Sequence, residues 1–298
     1  MLSEDMRMNH EHYHKQVLLL AEELSLQYPV KELLKNCCAR LPWEYLKEKI
    51  VQLTDIRYAE NAQIQLAEEL KAYHGKDGMA ELAVMLAAAI HTREKYRDMK
   101  ISDQIYLDTM GCFRRFLDET KKNTGDWKFD RAFWTWRQTA GCLFRLGTLE
   151  FEYTKCFWDA IPNVSKNDML ISVHIPSDAS LTKENLSFSY HEMKHFFWQN
   201  EDAVCYNGIP KAVVCHTWLL SPNLLKFLKE DSNIRLFAAD YEILQTDADN
   251  SGCLEWLFEG MTDIKTLPEK TALQKEVKKH FLQGGIIGQG LGWLKKGL

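Results

Sequence analysis

The sequence predicts an α+β chain overall: an all-helical N-terminal domain over residues 1–126, then a mixed-sheet α/β C-terminal domain over residues 127–298. Three observations carry this expectation. Glycine (15) and proline (7) are scarce in 298 residues, which favours helix because helix interiors exclude both. Apolar residues recur at helical spacing through residues 10–122 and then give way to strand–helix–strand order. Composition changes at the same place. Eight of the nine Trp follow Asp126, and six of the fifteen Gly fall in the last fifteen residues.

In the first domain Val17, Leu20, Ala21 and Leu24 share one helical face. Leu82, Ala83, Leu86 and Ile90 share another, and Ile105, Thr109, Phe113 and Phe116 a third. Breaks are expected at Pro29, at Pro42 and at residues 75–78. Five to seven packed helices result, with no repeat of 20–50 residues.

The second domain opens with a short aromatic helix over 129–139. Leu149, Phe151 and Tyr153 alternate with Glu150, Glu152 and Thr154, which is strand period. Residues 169–175 (MLISVHI) form a second expected strand, stopped by Pro176. Residues 181–199 are expected to be helical, with Thr182 as N-cap and Glu184 in the first turn. The apolar run 212–220 reads as a central strand buried on both faces. A short helix over 223–229 follows. Residues 234–245 and 253–258 flank 247–252 as an expected hairpin, and a helix over 268–283 precedes a glycine-rich tail. Strand, helix and strand in succession imply two parallel neighbours joined by a right-handed crossover.

The net charge is −5 and neither half is basic, so nucleic acid is not an expected partner. A membrane is not expected either, since the longest apolar runs fall far short of the ~20 residues a span needs. The polar N-terminus does not read as a secretory signal. The eight cysteines form no CxxC pair and read as reduced thiols of a cytoplasmic protein.

His191, Glu192 and His195 fit H-E-x-x-H, in which two imidazoles one turn apart hold zinc and the Glu activates water. The helix turns these histidines away from its apolar stripe of Leu186, Tyr190, Met193 and Phe197. No third ligand follows nearby. A zinc hydrolase is therefore the least favoured alternative, and no metal is expected.

Several blocks in the second half occur together in one order. They are Phe144 to Glu152 (FRLGTLEFE), Ser172 to Pro176 (SVHIP), Cys215 to Leu220 (CHTWLL) with Pro222, Asp231 to Ile234 with Phe237, and Thr271 to Gln274 before the glycine-rich tail. On these residues the chain from Trp127 onward resembles the GNAT-like C-terminal domain of a group of bacterial acyltransferases, paired there with a helical N-terminal domain.

The resemblance implies an acyl-CoA-dependent N-acyltransferase. Acetyl-CoA or another acyl-CoA would be the co-substrate, and an amine of an unidentified small acceptor the second partner. It implies that two central parallel strands splay, that the acyl-pantetheine arm enters between them, and that the pyrophosphate rests on the following helix N-terminus. Free N–H groups and the helix dipole suit that anion. Val173, Ile175, Ser177, Ser180, Thr182 and Lys183 are the expected CoA-binding residues, with N–H groups near Val173 and Ile175 as oxyanion donors. The family's glycine-rich phosphate loop is replaced here by PSDASLT at 176–182. A GNAT-shaped ligand-binding module without catalysis is the main alternative.

Direct acyl transfer needs a base for the attacking amine and can use an acid for the leaving thiolate. His174 and His216, each within an apolar strand, are the candidate bases, and Glu152, expected two strands away, is a candidate orienting group. Ser221 and Cys215 are weaker candidates for the remaining role.

Overall fold

The computed structural model describes residues 10–73 and 77–295. The expected break at 75–78 therefore lies partly outside the described residues. The chain divides into two compact units, 1–145 and 146–298.

The first unit is helical: α1 (His10–Glu23), α2 (Tyr28–Cys38), α3 (Trp43–Gln52), α4 (Ala59–Glu69), α5 (Met79–Asp98), α6 (Asp103–Met110), α7 (Cys112–Thr124) and α8 (Ala132–Thr139). Helix α5 is the hub. Its run Leu82 to Ala89 is buried without a gap, so it is apolar all round, as a helix enclosed by others must be. The aromatic segment after Asp126 packs in this unit, where Phe129 donates its N–H to the Asp77 carbonyl and sets its ring at a tilt to that of Phe113. The compositional change thus precedes the structural division.

The second unit is built on a six-stranded sheet in the order β1-β2-β3-β4-β6-β5. The strands are β1 (Leu143–Leu146, straddling the division), β2 (Leu149–Lys155), β3 (Met169–His174), β4 (Val213–Thr217), β5 (Tyr241–Asp247) and β6 (Gln289–Leu294). Helix α9 (Lys183–Gln199) links β3 to its parallel neighbour β4. Its Thr182 cap accepts the Asn185 N–H, as the sequence indicates. Short helices α10 (Glu201–Val204), α11 (Pro222–Leu225), α12 (Asn233–Ala239) and α13 (Ser251–Leu257), then α14 (Ala272–Leu282), complete the unit.

The structure corrects four expectations. The 234–258 hairpin does not form: helix α12, strand β5 and helix α13 occupy that stretch. The sheet is mixed because β2 and β6 run antiparallel to the central β3–β4 pair, and β6, from the glycine-rich tail, is inserted between β4 and β5. Glycine suits it because backbone approaches closely there. A Cβ on Gly290 would stand 2.6 Å from the Leu220 carbonyl oxygen, and one on Gly292 2.7 Å from Leu220 Cδ1. Strand β2 is buried on both faces rather than one, Glu150 and Glu152 included. Strand β4 ends at Thr217, and Trp218–Leu220 turn as a 3-10 helix.

The two sheet faces differ. One carries Tyr241, whose hydroxyl accepts a hydrogen bond from Tyr190 of α9. On the other, Leu170, Ala212, Val214 and Leu291 pack with Cys156, Ile161 and the flanks of Trp158, Val164 and Trp293. The candidate site lies on this second face.

Candidate active site

Strands β3 and β4 pair in parallel at Ile171↔Val213 and Ser172↔Val214. The pairing stops there, although β3 runs to His174 and β4 to Thr217. The two central strands therefore part at their C-terminal ends. Ile171 donates its N–H to the Ala212 carbonyl. The register then sets the Val173 N–H opposite the Val214 carbonyl, as the last rung. One strand repeat further, the His216 N–H faces the opening, and Ile175 follows on the opposite lip.

His174 and His216 stand on the two lips. Each lies two residues beyond the last pair, Ser172↔Val214, and alternation puts both on one face. Each imidazole holds a carboxylate. His174 Nε2 lies 2.8 Å from Glu152 Oε2, across the antiparallel β2–β3 pair in which Glu152 faces Ser172. Glu152 is thus on the adjacent strand, not two strands away. His216 Nε2 lies 2.9 Å from Asp247 Oδ2. The first carboxylate is nearly enclosed, with 11% of its side chain exposed, against 39% for Asp247.

Asp247 is held from both sides. Its Oδ1 accepts the Asp249 N–H at 2.9 Å. Hydrogen bonds from the Ser251 hydroxyl and N–H hold the Asp249 carboxyl below the usual carboxylate range, aided by the Gln289 amide and the nearby His216. A bulge in β5 decides which face Asp247 takes. Tyr241 and Ile243 pair with Leu294 and Gly292, but the register shifts between Ile243 and Gln245. Beyond the shift Gln245 and Asp247 pair with Leu291 and Gln289, on the face of His216. Without the extra residue Asp247 would take the face of Tyr241.

The remaining expected residues surround α9. Ser180 donates its N–H to Thr148 Oγ1 at 2.7 Å, and the Thr182 hydroxyl serves the cap. Those two groups are engaged within the fold. Ser177 and Lys183 are exposed, and the helix start leaves the N–H groups of Lys183 and Glu184 without intrahelical carbonyls. Cys215 is buried and its thiol is pushed far up by desolvation. The Ser221 hydroxyl donates to the Ile287 carbonyl and accepts the Asn223 and Leu224 N–H groups.

His191 and His195 are exposed on α9, their rings stacked at 6.3 Å, while Leu186, Tyr190, Met193 and Phe197 are buried. Among the described residues no group of three or more His, Cys, Asp or Glu side chains gathers to hold a metal.

Sequence reasoning missed Asp247, which it read as part of a turn. It also missed Trp158, whose ring lies 6.0 Å from that of His216. Only strand period through β5, interrupted once, could have signalled the aspartate.

Comparison with known proteins bears on this geometry. A family described as a GNAT-like C-terminal domain matches residues 143–294, and one described as an N-acyltransferase N-terminal domain matches residues 2–141. The chain belongs to this two-domain acyltransferase family. Solved acyltransferases share its fold at low identity. A variant in complex with octanoyl-CoA has a TM-score of 0.75 and 20% identity, over 94% of this chain and 88% of that one. An acyltransferase in complex with decanoyl-CoA and teicoplanin has a TM-score of 0.75 and 19% identity, over 98% and 90%. A third, with CoA and 10C-teicoplanin, has a TM-score of 0.65 and 20% identity, over 97% and 99%. No curated protein matches the chain. No helix among the described residues of this acyltransferase is long and apolar enough to cross a membrane.

Proposed function

We infer that the acyltransferase moves an acyl group directly from CoA to an amine of a small acceptor. The observation that carries this reading is the opening between β3 and β4 with a carboxylate-supported imidazole on its lip. An extended thioester arm fits where a ladder stops and backbone N–H groups stand open. Those of Ile175 and His216 are the oxyanion donors in this reading, and Val173 closes the ladder beneath them. His174 takes the proton from the attacking amine, and Glu152 fixes its ring and supports the charge it acquires. The CoA phosphates rest on the start of α9, at the N–H groups of Lys183 and Glu184 with the Ser177 hydroxyl and the Lys183 ammonium beside them. The neighbours' octanoyl- and decanoyl-CoA support a medium-chain acyl donor. Their teicoplanin complexes make amine-bearing glycopeptides the first acceptors to try beside simple amines. Eight free, buried cysteines support a reducing, cytoplasmic setting.

The test incubates the protein with octanoyl-CoA and a panel of primary amines that includes small amines and amine-bearing glycopeptides. Mass spectrometry of the products should show one acyl group added to at least one amine, with free CoA released in equal amount. If millimolar acyl-CoAs neither shift the melting temperature nor acylate any amine, the reading fails.

A further inference from the structure

Acyl transfer moves two protons, and the reading above gives a group to only one of them. We propose that His216, positioned by Asp247, is the general acid that protonates the departing CoA sulfur. This deepens the acyl-CoA reading and rests on it.

Placement is the first argument. His216 stands on the lip opposite His174, each two residues past the last paired rung and on the same face. A thioester carbonyl held between the strands therefore has one imidazole on each side. Orientation is the second. Asp247 takes Nε2, which leaves Nδ1 as the ring nitrogen for chemistry. Asp247 is itself pinned by the Asp249 N–H, and a bulge in β5 puts it on this face. Bulges beside active sites commonly serve to re-aim a side chain in this way.

Elimination is the third argument. Cys215 is buried with its thiol pushed up, and Ser221 is committed to caps. Tyr190 and Tyr241 are buried and bonded to one another, and desolvation pushes both phenols up. Tyr153 donates to the Gly208 carbonyl.

The two pairs divide the work by burial. A base becomes positive, and a nearly enclosed carboxylate such as Glu152 supports that charge strongly because local screening is weak. The acid loses its charge in the step, so the more exposed Asp247 suffices.

The amine nitrogen attacks the thioester carbon and the carbonyl π pair moves to oxygen. The amine proton passes to His174. The oxyanion then re-forms the carbonyl, the C–S bond breaks with its electron pair on sulfur, and the His216 imidazolium gives that sulfur its proton. His174 ends protonated and His216 neutral, and exchange with water resets both.

The test compares two donors with the amine turned over fastest in the panel: octanoyl-CoA, and the octanoyl thioester of 4-nitrothiophenol, whose arylthiolate leaves without a proton. His216→Gln should lower kcat with octanoyl-CoA about 10²–10⁴-fold and stay within a few fold of the unsubstituted protein with the aryl thioester. Asp247→Asn should show the same donor dependence at smaller size, as a positioning residue would. His174→Gln should lose activity with both donors. Equal losses for His216→Gln with both donors, or full activity with octanoyl-CoA, overturn the proposal. An unsubstituted protein inactive with both donors overturns the acyltransferase reading as well, so the two failures are told apart.

Discussion

Replacing Glu152 by Gln keeps the shape of the side chain and removes its charge, so it isolates what the carboxylate does for His174. Glu152 Oε2 lies 2.8 Å from His174 Nε2. At that distance an effective dielectric of about 20 gives a charge–charge attraction of about 6 kcal/mol once the imidazole has taken its proton. That figure is a ceiling, because the neutral amide still hydrogen-bonds the ring and the site relaxes. General base catalysis is commonly worth about 10²–10⁴ in rate, or about 3–5 kcal/mol, which fits beneath the ceiling. The expected outcome for Glu152→Gln is a fall in kcat of about 10²–10⁴ with little change in KM for octanoyl-CoA, since the carboxylate acts on the acceptor's proton and not on the donor. Steady-state release of free CoA measures both constants, and a thermal melt establishes that the variant is folded. A folded variant that keeps more than a tenth of kcat would refute the assignment of His174 as a carboxylate-supported base.

Four further outcomes are expected. Gly290→Ala sets a Cβ 2.6 Å from the Leu220 carbonyl oxygen. Overpacking of this kind costs about 1–3 kcal/mol, so the melting temperature should fall by several degrees, and an unchanged melt would show that the tail is not a sheet strand. All eight cysteines are buried, and burial pushes Cys37 up to about 11 and Cys253 up to about 12, so a disulfide reagent at pH 8 should find no fast thiol in the native protein and eight after denaturation. His91 is held below the usual histidine range by burial, then by Lys95 and His12, with Tyr13 and Glu94 also facing it. The folded state refuses a proton that the unfolded state accepts, so stability is flat above about pH 6.5 and is lost as pH falls below it; urea midpoints of His91→Gln with the same pH slope would refute this. His191→Ala, or a chelator at millimolar level, should leave acyl transfer unchanged by the CoA-release assay, and a metal-dependent loss would revive the hydrolase motif.

The helical unit was legible because its signals are local. A long apolar run free of glycine and proline marks α5, and a polar residue before a helical run marks the cap at Thr182. The site was half legible. A histidine inside an apolar strand is conspicuous, and His174, His216 and Glu152 could each be singled out. Their partners lie 22 and 31 residues away in sequence, and pairing at that range is set by strand register, which composition does not carry. The tail shows the same limit in another form. Glycines read as loop, yet here they let β6 pass beside Leu220, and that close approach is a tertiary fact.

The β5 bulge ties the fold and the chemistry together most tightly. Side chains alternate along a strand, so Asp247 would share the face of Tyr241 and Ile243 if β5 were regular. One extra residue between Ile243 and Gln245 reverses the alternation. Leu244, just before the reversal takes effect, keeps the face of Glu242 and packs against the apolar cluster of Val214 and Leu291. The face taken by the carboxylate that holds His216 is therefore set by a backbone irregularity a few residues earlier in the strand, and the Asp249 N–H then fixes the carboxyl. This explains why a regular strand reading could not find it, and why the two imidazoles, set on one face by the plain register of β3 and β4, could be found without it.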